Sequence, residues 1–408
     1  MDTPAENDFR ARARSWLAEN APRRDSEEVQ SDDRHRYHPD RLAQGYGFHR
    51  RLWEAGLAGI SCPAEYGGQG LPARYQEIWN EEVAPYALPP HGSGASLGIA
   101  LPLLLVHGTE VLKREHIPRI LRAEVSWCQF LSEPGAGSDL AGVRTTAALD
   151  GDEWVINGSK IWSSGAHFSK YAMCLARTDP NVPKHRGLTM FIVPIPTDGL
   201  EIRPVRQVTG GSEFNEEFLD DVRIPSDAVI GDVNDGWRVA QTMLTFERRM
   251  LGVGSISGGT TAAEPPHELA ALVQRLGRTG DPVAGQLIAD VWVHSVVSAE
   301  TSSRVRAGTL DGHASPHIGS ALKLFTSELA RRRARAAMAV AGPAGIAWPL
   351  NDPHGGRWAM AYLAAPSSSI GGGTDEIQKN IVGERIIGLP REPQVDRDVP
   401  FREVPSSR

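Results

Sequence analysis

An α+β chain is predicted, helical first, then β, then helical again. Three observations carry this reading: apolar residues recur every three or four positions from Asp8 to Val125, the period drops to two after Ser126, and the helical period returns in long segments from Gly236. The boundaries drawn are a helical domain over 1–125, a β domain over 126–232, a helical bundle over 233–395 and a tail over 396–408. That order, with no glycine fingerprint following a strand, excludes a doubly wound nicotinamide-binding sheet. A chain of 408 residues has room for two or three domains at roughly 100–200 residues each.

In the first part, Phe9, Ala13, Trp16 and Leu17 form one helical stripe, and Leu52, Ala55 and Ile78 mark later helices. Asn20 to Asp40 is charged and histidine-rich and reads as a solvated excursion. Leu97 to Val106 is the longest apolar run; it is broken by Gly98 and Pro102, is far shorter than the roughly 20 residues a bilayer needs, and reads as a core helix.

In the second part, Thr145, Ala147 and Leu149 alternate, Asp150-Gly151-Asp152-Glu153 is turn chemistry, and Trp154-Val155-Ile156 extends up to Asn157-Gly158, a meander pattern. Tyr171 to Ala176, Leu188 to Ile195 and Phe214 to Val222 are further strands. In the third, helices are expected over Trp237 to Leu251, Pro266 to Leu276, Val283 to Arg306, Ala321 to Val340 and Asp375 to Ile387.

Composition narrows the function. Lys and Arg total 43 against 50 Asp and Glu, a net charge of -7, which speaks against nucleic acid as a partner. Met1 to Arg10 is acidic with no apolar core behind it, so no secretory signal is read and a cytoplasmic location is expected. Cys62, Cys128 and Cys174 lack metal or redox spacing and read as buried free thiols.

Three features could carry chemistry. Around Glu247 the apolar stripe runs Ala240, Met243, Leu244, Met250 and Leu251, and position 247 falls on it, so a carboxylate is aimed at the interior. Such a group is either a base with a raised pKa or half of a core ion pair with Arg248, Arg249 or another arginine. Ser132-Glu133-Pro134-Gly135-Ala136-Gly137-Ser138-Asp139 is a small-residue loop offering hydroxyls and amides to a ligand, or an ordinary tight connection. Ser369 to Gln378 places three glycines before a helix capped by Thr374, suited to a phosphate or carbonyl oxygen or to capping alone.

Other signals weaken on inspection. Gly94-Ala95-Ser96-Leu97-Gly98 matches a nucleophile elbow, but Leu88-Pro89-Pro90 stands where a buried strand should be. Pro316 separates His313 from His317 and disfavours a shared helix face. Arg331, Arg332, Arg333 and Arg335 spread over more than one side of a helix and read as a solvated or subunit-facing surface.

Taken in order, Phe130 to Asp139, Asn157-Gly158-Ser159-Lys160-Ile161-Trp162-Ser163-Ser164, Phe246-Glu247-Arg248, and Gly373-Thr374 with Ile377-Gln378 resemble the acyl-CoA dehydrogenase family, from about Phe9 to Arg391. The resemblance implies an N-terminal helical domain, a middle β domain of barrel or sandwich type and a C-terminal four-helix bundle. It implies FAD between the last two, with a second subunit completing the site. Carried over by position, Gln129, Leu131, Ser132, Trp162 and Ser164 would line the flavin ring, and Gly137 and Ser138 would lie in the cofactor loop. Ser138 would also approach the CoA arm, with Leu244 and Arg248 on the substrate side, and Thr374 and Glu376 would approach the flavin's phosphate end. The implied reaction is α,β-desaturation of an acyl-CoA thioester, with electrons passed to an electron-transfer flavoprotein or similar acceptor.

Two departures qualify it. Many members hold the base just before the last helix, where this chain has Gly371-Gly372-Gly373-Thr374; others put it on the bundle helix immediately before an arginine, as Glu247 and Arg248 stand here. The Arg-x-x-Phe-Gly motif is absent from Leu272 to Pro282, and the Gln-x-x-Gly-Gly-x-Gly segment has drifted to Ala339 to Gly345. Similar losses occur in relatives built from two different subunits, including steroid side-chain enzymes. The expectation is therefore a homotetramer or, more in keeping with these losses, a heterotetramer in which this chain bears the base. A non-catalytic subunit and an acyl-CoA oxidase or flavin monooxygenase on the same fold stay open as alternatives.

Overall fold

The structure, a computed structural model, describes residues 2–24, 38–89, 94–252, 267–310, 315, 317–348, 356–393 and 396–405. The chain forms two compact units, the first running to Glu247 and taking in the segment from Pro393, the second running on to Glu392.

The first unit opens with helices α1 (Pro4–Asn20), α2 (Pro39–Glu54), α3 (Ala73–Val83), α4 (Leu101–His107) and α5 (Glu110–Leu121). Thr3 starts α1 with a reciprocal cap: its amide donates to Glu6 Oε2 at 2.6 Å, and the Glu6 amide donates to Thr3 Oγ1 at 3.3 Å. Phe9, Ala13 and Leu17 then pack with Phe48, Leu52, Ile78, Trp79 and Val83. The apolar run enters α4 through a wider helical turn, Ser96–Ala100, and buries Ile99, Leu101, Leu103 and Leu104. Most of the charged excursion, 25–37, lies outside the described residues, as does His313.

The strands are β1 (Trp127–Phe130), β2 (Thr146–Asp150), β3 (Glu153–Ser164), β4 (Tyr171–Arg177), β5 (Leu188–Pro194), β6 (Leu200–Val205), β7 (Phe214–Pro225) and β8 (Val229–Ile230). They make one mixed sheet in the order β6-β7-β3-β2-β4-β5-β8, with β1 parallel to β4. Only β2 and β3 form the expected hairpin; β3 then pairs with β7 rather than β4, so the meander pattern does not extend past the hairpin. β4 and β5 are buried on both faces, which explains their unbroken apolar sequences.

β3 also runs straight through Asn157-Gly158, where a turn was expected. The extra length is absorbed on β7, where Asp220 and Asp221 oppose Asn157. Asn157 Nδ2 donates to Asp221 Oδ1 at 2.9 Å and its Oδ1 accepts the Asp221 amide at 2.8 Å, so the side chain that would have closed a turn spans the bulge.

Helix α6 (Gly236–Gly252) begins against β5. A Cβ on Gly236 would lie 2.6 Å from the Thr189 Cα, so only glycine permits this approach. His107 Nε2 meets Thr242 Oγ1 at 2.9 Å and anchors the same helix to the end of α4.

The segment 396–405 folds back over the β domain as a strap. Phe401 and Arg402 donate their amides to Val182 and Pro180 at 2.9 and 3.0 Å, and Lys184 Nζ bridges Asp396 at 2.7 Å and Asp139 at 3.0 Å. The Phe401 ring lies 3.7 Å from the guanidinium carbon of Arg177, which is buried and donates to the carbonyls of Lys184, Ala141 and Val143. Burial pushes the Arg177 pKa down to about 10, against the nearby Glu133 charge.

The second unit holds α7 (His267–Arg275), α8 (Pro282–Leu310), α9 (Gly319–Ala341), α10 (Arg357–Ala364) and α11 (Asp375–Ile381), the last continued by a wide turn to Ile387. Leu269, Leu272, Val273, Ala284 and Val291 pack on the small face Ala336, Ala337 and Val340 of α9. Much of the arginine run is paired within the unit, while Arg335 is exposed. Arg331 and Arg332 pair with Glu328, Asp375 and Asp290, while Arg333 donates to Ser295 Oγ at 2.8 Å.

Phe401→Ala removes a buried ring from over a buried cation. It is expected to cost about 3–5 kcal/mol, read in calorimetry as a lowered transition of the unit that carries the sheet.

Candidate active site

β1 ends at Phe130, and the chain turns into the small-residue loop with its main chain already fixed. The Leu131 carbonyl accepts from Lys160 Nζ at 3.0 Å, the Ser132 carbonyl accepts the Ile161 amide at 2.9 Å, and Glu133 and Ala136 exchange amide-to-carbonyl bonds at 3.0 Å. Glu133 closes the loop from its far end: its carboxylate accepts the amides of Arg144 at 2.6 Å and Thr145 at 2.8 Å, and Lys160 Nζ at 2.9 Å. Burial alone would raise the Glu133 carboxyl, but Lys160 and these donors outweigh it and hold it below the usual glutamate range. The Lys160 side chain is fully buried and gives its third hydrogen to Leu175 O at 2.7 Å.

Sequence reasoning missed this pair, although the alternation of β3 carried a signal: Trp154 and Ile156 point inward, and Lys160 has the same parity. The same strand then bulges. Between Ile161 and Ser163 the register with β7 slips by one residue, and the extra residue is Trp162, at φ +71°. A bulky side chain at such a φ is a true outlier that marks local strain. The indole is 56% exposed and meets Phe214 only edge-on, ring centroids 6.1 Å apart. Ser164, next along, pairs with Phe214 and faces outward.

Glu247 lies on α6 one turn beyond Met243 and Leu244, in line with buried Val239 and Ala240. Its side chain is half-buried rather than enclosed in the core, because Phe246 and Leu244 beside it are also only partly covered; this corrects the expectation of an interior carboxylate. Gln129 Nε2, on β1, stands 3.4 Å from Glu247 Oε2, a long hydrogen bond. The first unit thus brings together Gln129 and Glu247, and it joins Leu131 and Ser132 to the β3 segment that carries Trp162 and Ser164. Gly137 and Ser138 lie exposed on the loop.

The remaining expected residues belong to the second unit. Arg248 follows Glu247 and is half-buried. Thr374 caps α11, its Oγ1 accepting the Ile377 amide at 3.3 Å, and Glu376 is exposed on the first turn. Gly373, at φ +90°, leaves the space filled by Gln378, whose Nε2 donates to Gly372 O at 2.8 Å. Asp375 is taken up by Lys323 at 3.0 Å. Arg278, in the stretch that lacks the family's arginine motif, is bound to Asp281 and to the Val340 carbonyl, while Arg275 is exposed.

Ser96 of the elbow-like sequence is buried in a helical turn and accepts the Trp127 amide at 2.9 Å, a structural role. All three cysteines are free and buried, and burial pushes Cys62 and Cys174 up to about 11, Lys160 opposing it at Cys174.

A protein named acyl-CoA dehydrogenase IpdE1, from Mycobacterium tuberculosis (strain ATCC 25618 / H37Rv), is 37% identical over 387 residues, spanning 94% of this chain and 98% of its own length. The chain belongs to the acyl-CoA dehydrogenase family. The family's N-terminal, middle and C-terminal domains match residues 3–124, 128–222 and 234–387. Among solved structures, the Tcur3481-Tcur3483 steroid ACAD matches with a TM-score of 0.79 at 26% identity, over 96% of this chain and 99% of the other. The ChsE4-ChsE5 complex from Mycobacterium tuberculosis matches with a TM-score of 0.75 at 29% identity, over 96% and 99%. This acyl-CoA dehydrogenase is a flavoprotein oxidoreductase with FAD as its cofactor, and acyl-CoA dehydrogenation is its general activity. No described helix is long and apolar enough to cross a membrane.

Because its pKa is held down, Glu133 adds stability above the ordinary glutamate pKa, and that contribution is lost as pH falls through its lowered folded value. Wild type is therefore expected to lose more stability on acidification than Glu133→Gln in urea titrations at several pH values. Lys160→Met, which strands the buried carboxylate, is expected to cost about 3–5 kcal/mol near neutral pH.

Proposed function

We propose that this chain carries out α,β-dehydrogenation of an acyl-CoA thioester with Glu247 as the base that takes the α-proton, and that it is the base-bearing member of an assembly with a second acyl-CoA dehydrogenase chain. The observation that carries the first half is the approach of the Glu247 carboxylate to Gln129 at the end of β1, immediately before Leu131 and Ser132.

The residues present fit FAD. Trp162 offers a flat, largely exposed ring on a strained bulge, and a Cβ on Gly137 would meet nothing within 4 Å, which leaves the loop open to a close-lying ligand. Gln129, Leu131, Ser132, Trp162 and Ser164 would hold the ring and Ser138 the adjoining arm. Thr374, whose hydroxyl accepts the Ile377 amide and keeps its own hydrogen to donate, would serve the phosphate end with Glu376 beside it. When bound there, FAD would supply an acceptor for the hydride leaving the substrate's β-carbon.

The chain's own residues have three tasks. Glu247 must reach the α-proton, and its half-buried place on α6 beside Gln129 would hold the carboxylate in position for proton transfer. Amide and hydroxyl donors must meet the charge that develops on the thioester oxygen. Leu244 and Arg248, flanking Glu247, would bound the acyl-CoA. Gly372 has no side chain with which to compete for the base's role.

The second half rests on the lost motifs in 272–282 and 339–345 and on the engagement of Arg278 within its own unit, together with likeness to a structure described as a complex of two chains. A steroid side-chain thioester is the first substrate class to try, given the structure described as a steroid ACAD. An electron-transfer flavoprotein or similar carrier is the expected acceptor.

Glu247→Gln is expected to lower turnover by about 10²–10⁴ while the assembly keeps its absorbance near 450 nm. Full activity in that variant would sink the assignment of the base. Purified alone, the chain is expected to carry well under one FAD per subunit by absorbance and native mass; a fully flavinated, active homotetramer would refute the two-chain reading.

A further inference from the structure

Glu217 takes no part in the chemistry above, yet it is fully buried on β7 directly across the ladder from Lys160. Lys160 spends its three ammonium hydrogens on Leu131 O, Glu133 Oε1 and Leu175 O. One buried cation balances one buried carboxylate, and Glu133 takes that place. A second ionised carboxyl here would be uncompensated, so Glu217 is held neutral. Burial pushes it up to about 8, with Ser163 and Lys160 pulling it down and Glu216 pushing it further up.

Glu217 Oε2 accepts from Ser163 Oγ at 2.9 Å, while Oε1 has no partner among the described residues. Ser163 is the residue after the Trp162 bulge. Its carbonyl is held as well, by Asn215 Nδ2 at 2.8 Å, and Asn215 Oδ1 meets His167 Nδ1 at 2.9 Å. Ser163, Asn215 and Glu217 are all buried. A positive φ at tryptophan persists only where its surroundings over-determine it, and these bonds are what fix the chain on the C-terminal side of the bulge.

We propose that Glu217 is a positioning residue for this enzyme: as a neutral acid it anchors Ser163 and so holds the bulge that presents the Trp162 ring to the cofactor. The proposal rests on the reading of Trp162 as a flavin neighbour. Ionisation of Glu217 would tighten its bond from the Ser163 hydroxyl but place an uncompensated charge inside the sheet, and it is that charge, drawing water or a cation in, that disturbs the bulge. Stability drawn from the neutral acid is full below the ordinary value of 4.5, declines as pH rises and is gone above about 8.

Glu217 has ionisable neighbours on several elements. On β3 Lys160 is saturated; on β1 and β4 Cys128 and Cys174 are buried thiols pushed up by burial; on β6, where Ile202 stands opposite, Glu201 and Arg203 pair with each other. On β7 itself Glu216 lies on the other face, β5 brings no ionisable side chain, and His167 is reached only through Asn215.

The test is tryptophan emission of the full-length protein from about pH 6 to 9.5, taking wild type minus Trp162→Phe to isolate Trp162, and repeating the subtraction in Glu217→Gln and Ser163→Ala backgrounds. A transition near pH 8 is expected in wild type; it should vanish with Glu217→Gln and move upward with Ser163→Ala, which removes a donor to the carboxylate. With FAD added, the apparent Kd is expected to rise about tenfold from pH 7 to 9.5 in wild type and to stay flat in Glu217→Gln. A wild-type signal with no transition, or a transition that survives Glu217→Gln, overturns the proposal. If Trp162→Phe leaves FAD affinity and the flavin spectrum unchanged, the positioning role falls with the reading of Trp162, even where the emission transition remains.

Discussion

A fully buried ammonium sets the terms for the β domain. Lys160 cannot be hydrated, so each of its hydrogens must find an oxygen, and the three it finds lie on β4, at the end of β1 and in the small-residue loop. That requirement fixes the loop's entry at Leu131 and, through Glu133, its exit at Arg144 and Thr145. The loop is rich in glycine, with high conformational entropy when free, yet it has little freedom left once the pair forms. The same saturation determines that the neighbouring Glu217 is the acid without a counter-ion.

Much of the architecture was legible because periodicity reports burial. The α1 stripe, the apolar helix leading into α4 and the doubly buried strands β4 and β5 each announce themselves by which positions are apolar. Strand order was not legible, since pairing β3 with β7 and β1 with β4 is a long-range choice that leaves no local mark. Asn157-Gly158 misled for a physical reason: asparagine satisfies a neighbouring backbone amide equally well in a turn or across a bulge. β6 escaped notice as a short edge strand whose alternation, Leu200-Glu201-Ile202-Arg203, is cut off by Pro204. The ordering of the 396–405 strap depends on a buried arginine more than two hundred residues away, which no window of sequence displays.

For the candidate site, the stripe on α6 located Glu247 correctly on the inward arc but overstated its burial, because periodicity gives direction and not depth. The family motifs pointed to the β1 end, the loop and Trp162. They did not reveal that Trp162 sits at a strained bulge, a property of register. Two charges near expected site residues are held by partners elsewhere in the chain: Asp375 by Lys323, and Arg278 by Asp281 and the Val340 carbonyl. Local sequence shows a charge but not the partner that neutralises it.

The strap has a consequence in time as well as in space. Lys184 and Asp396 are 212 residues apart, so at about 5–20 residues per second the ribosome takes on the order of 10–40 s to deliver the second after the first. Throughout that interval the nascent β domain carries Arg177 without its aromatic cover. Completion of this sheet's periphery thus waits for a segment made more than two hundred residues later, an interval during which a chaperone can hold the growing chain and a protease can reach it.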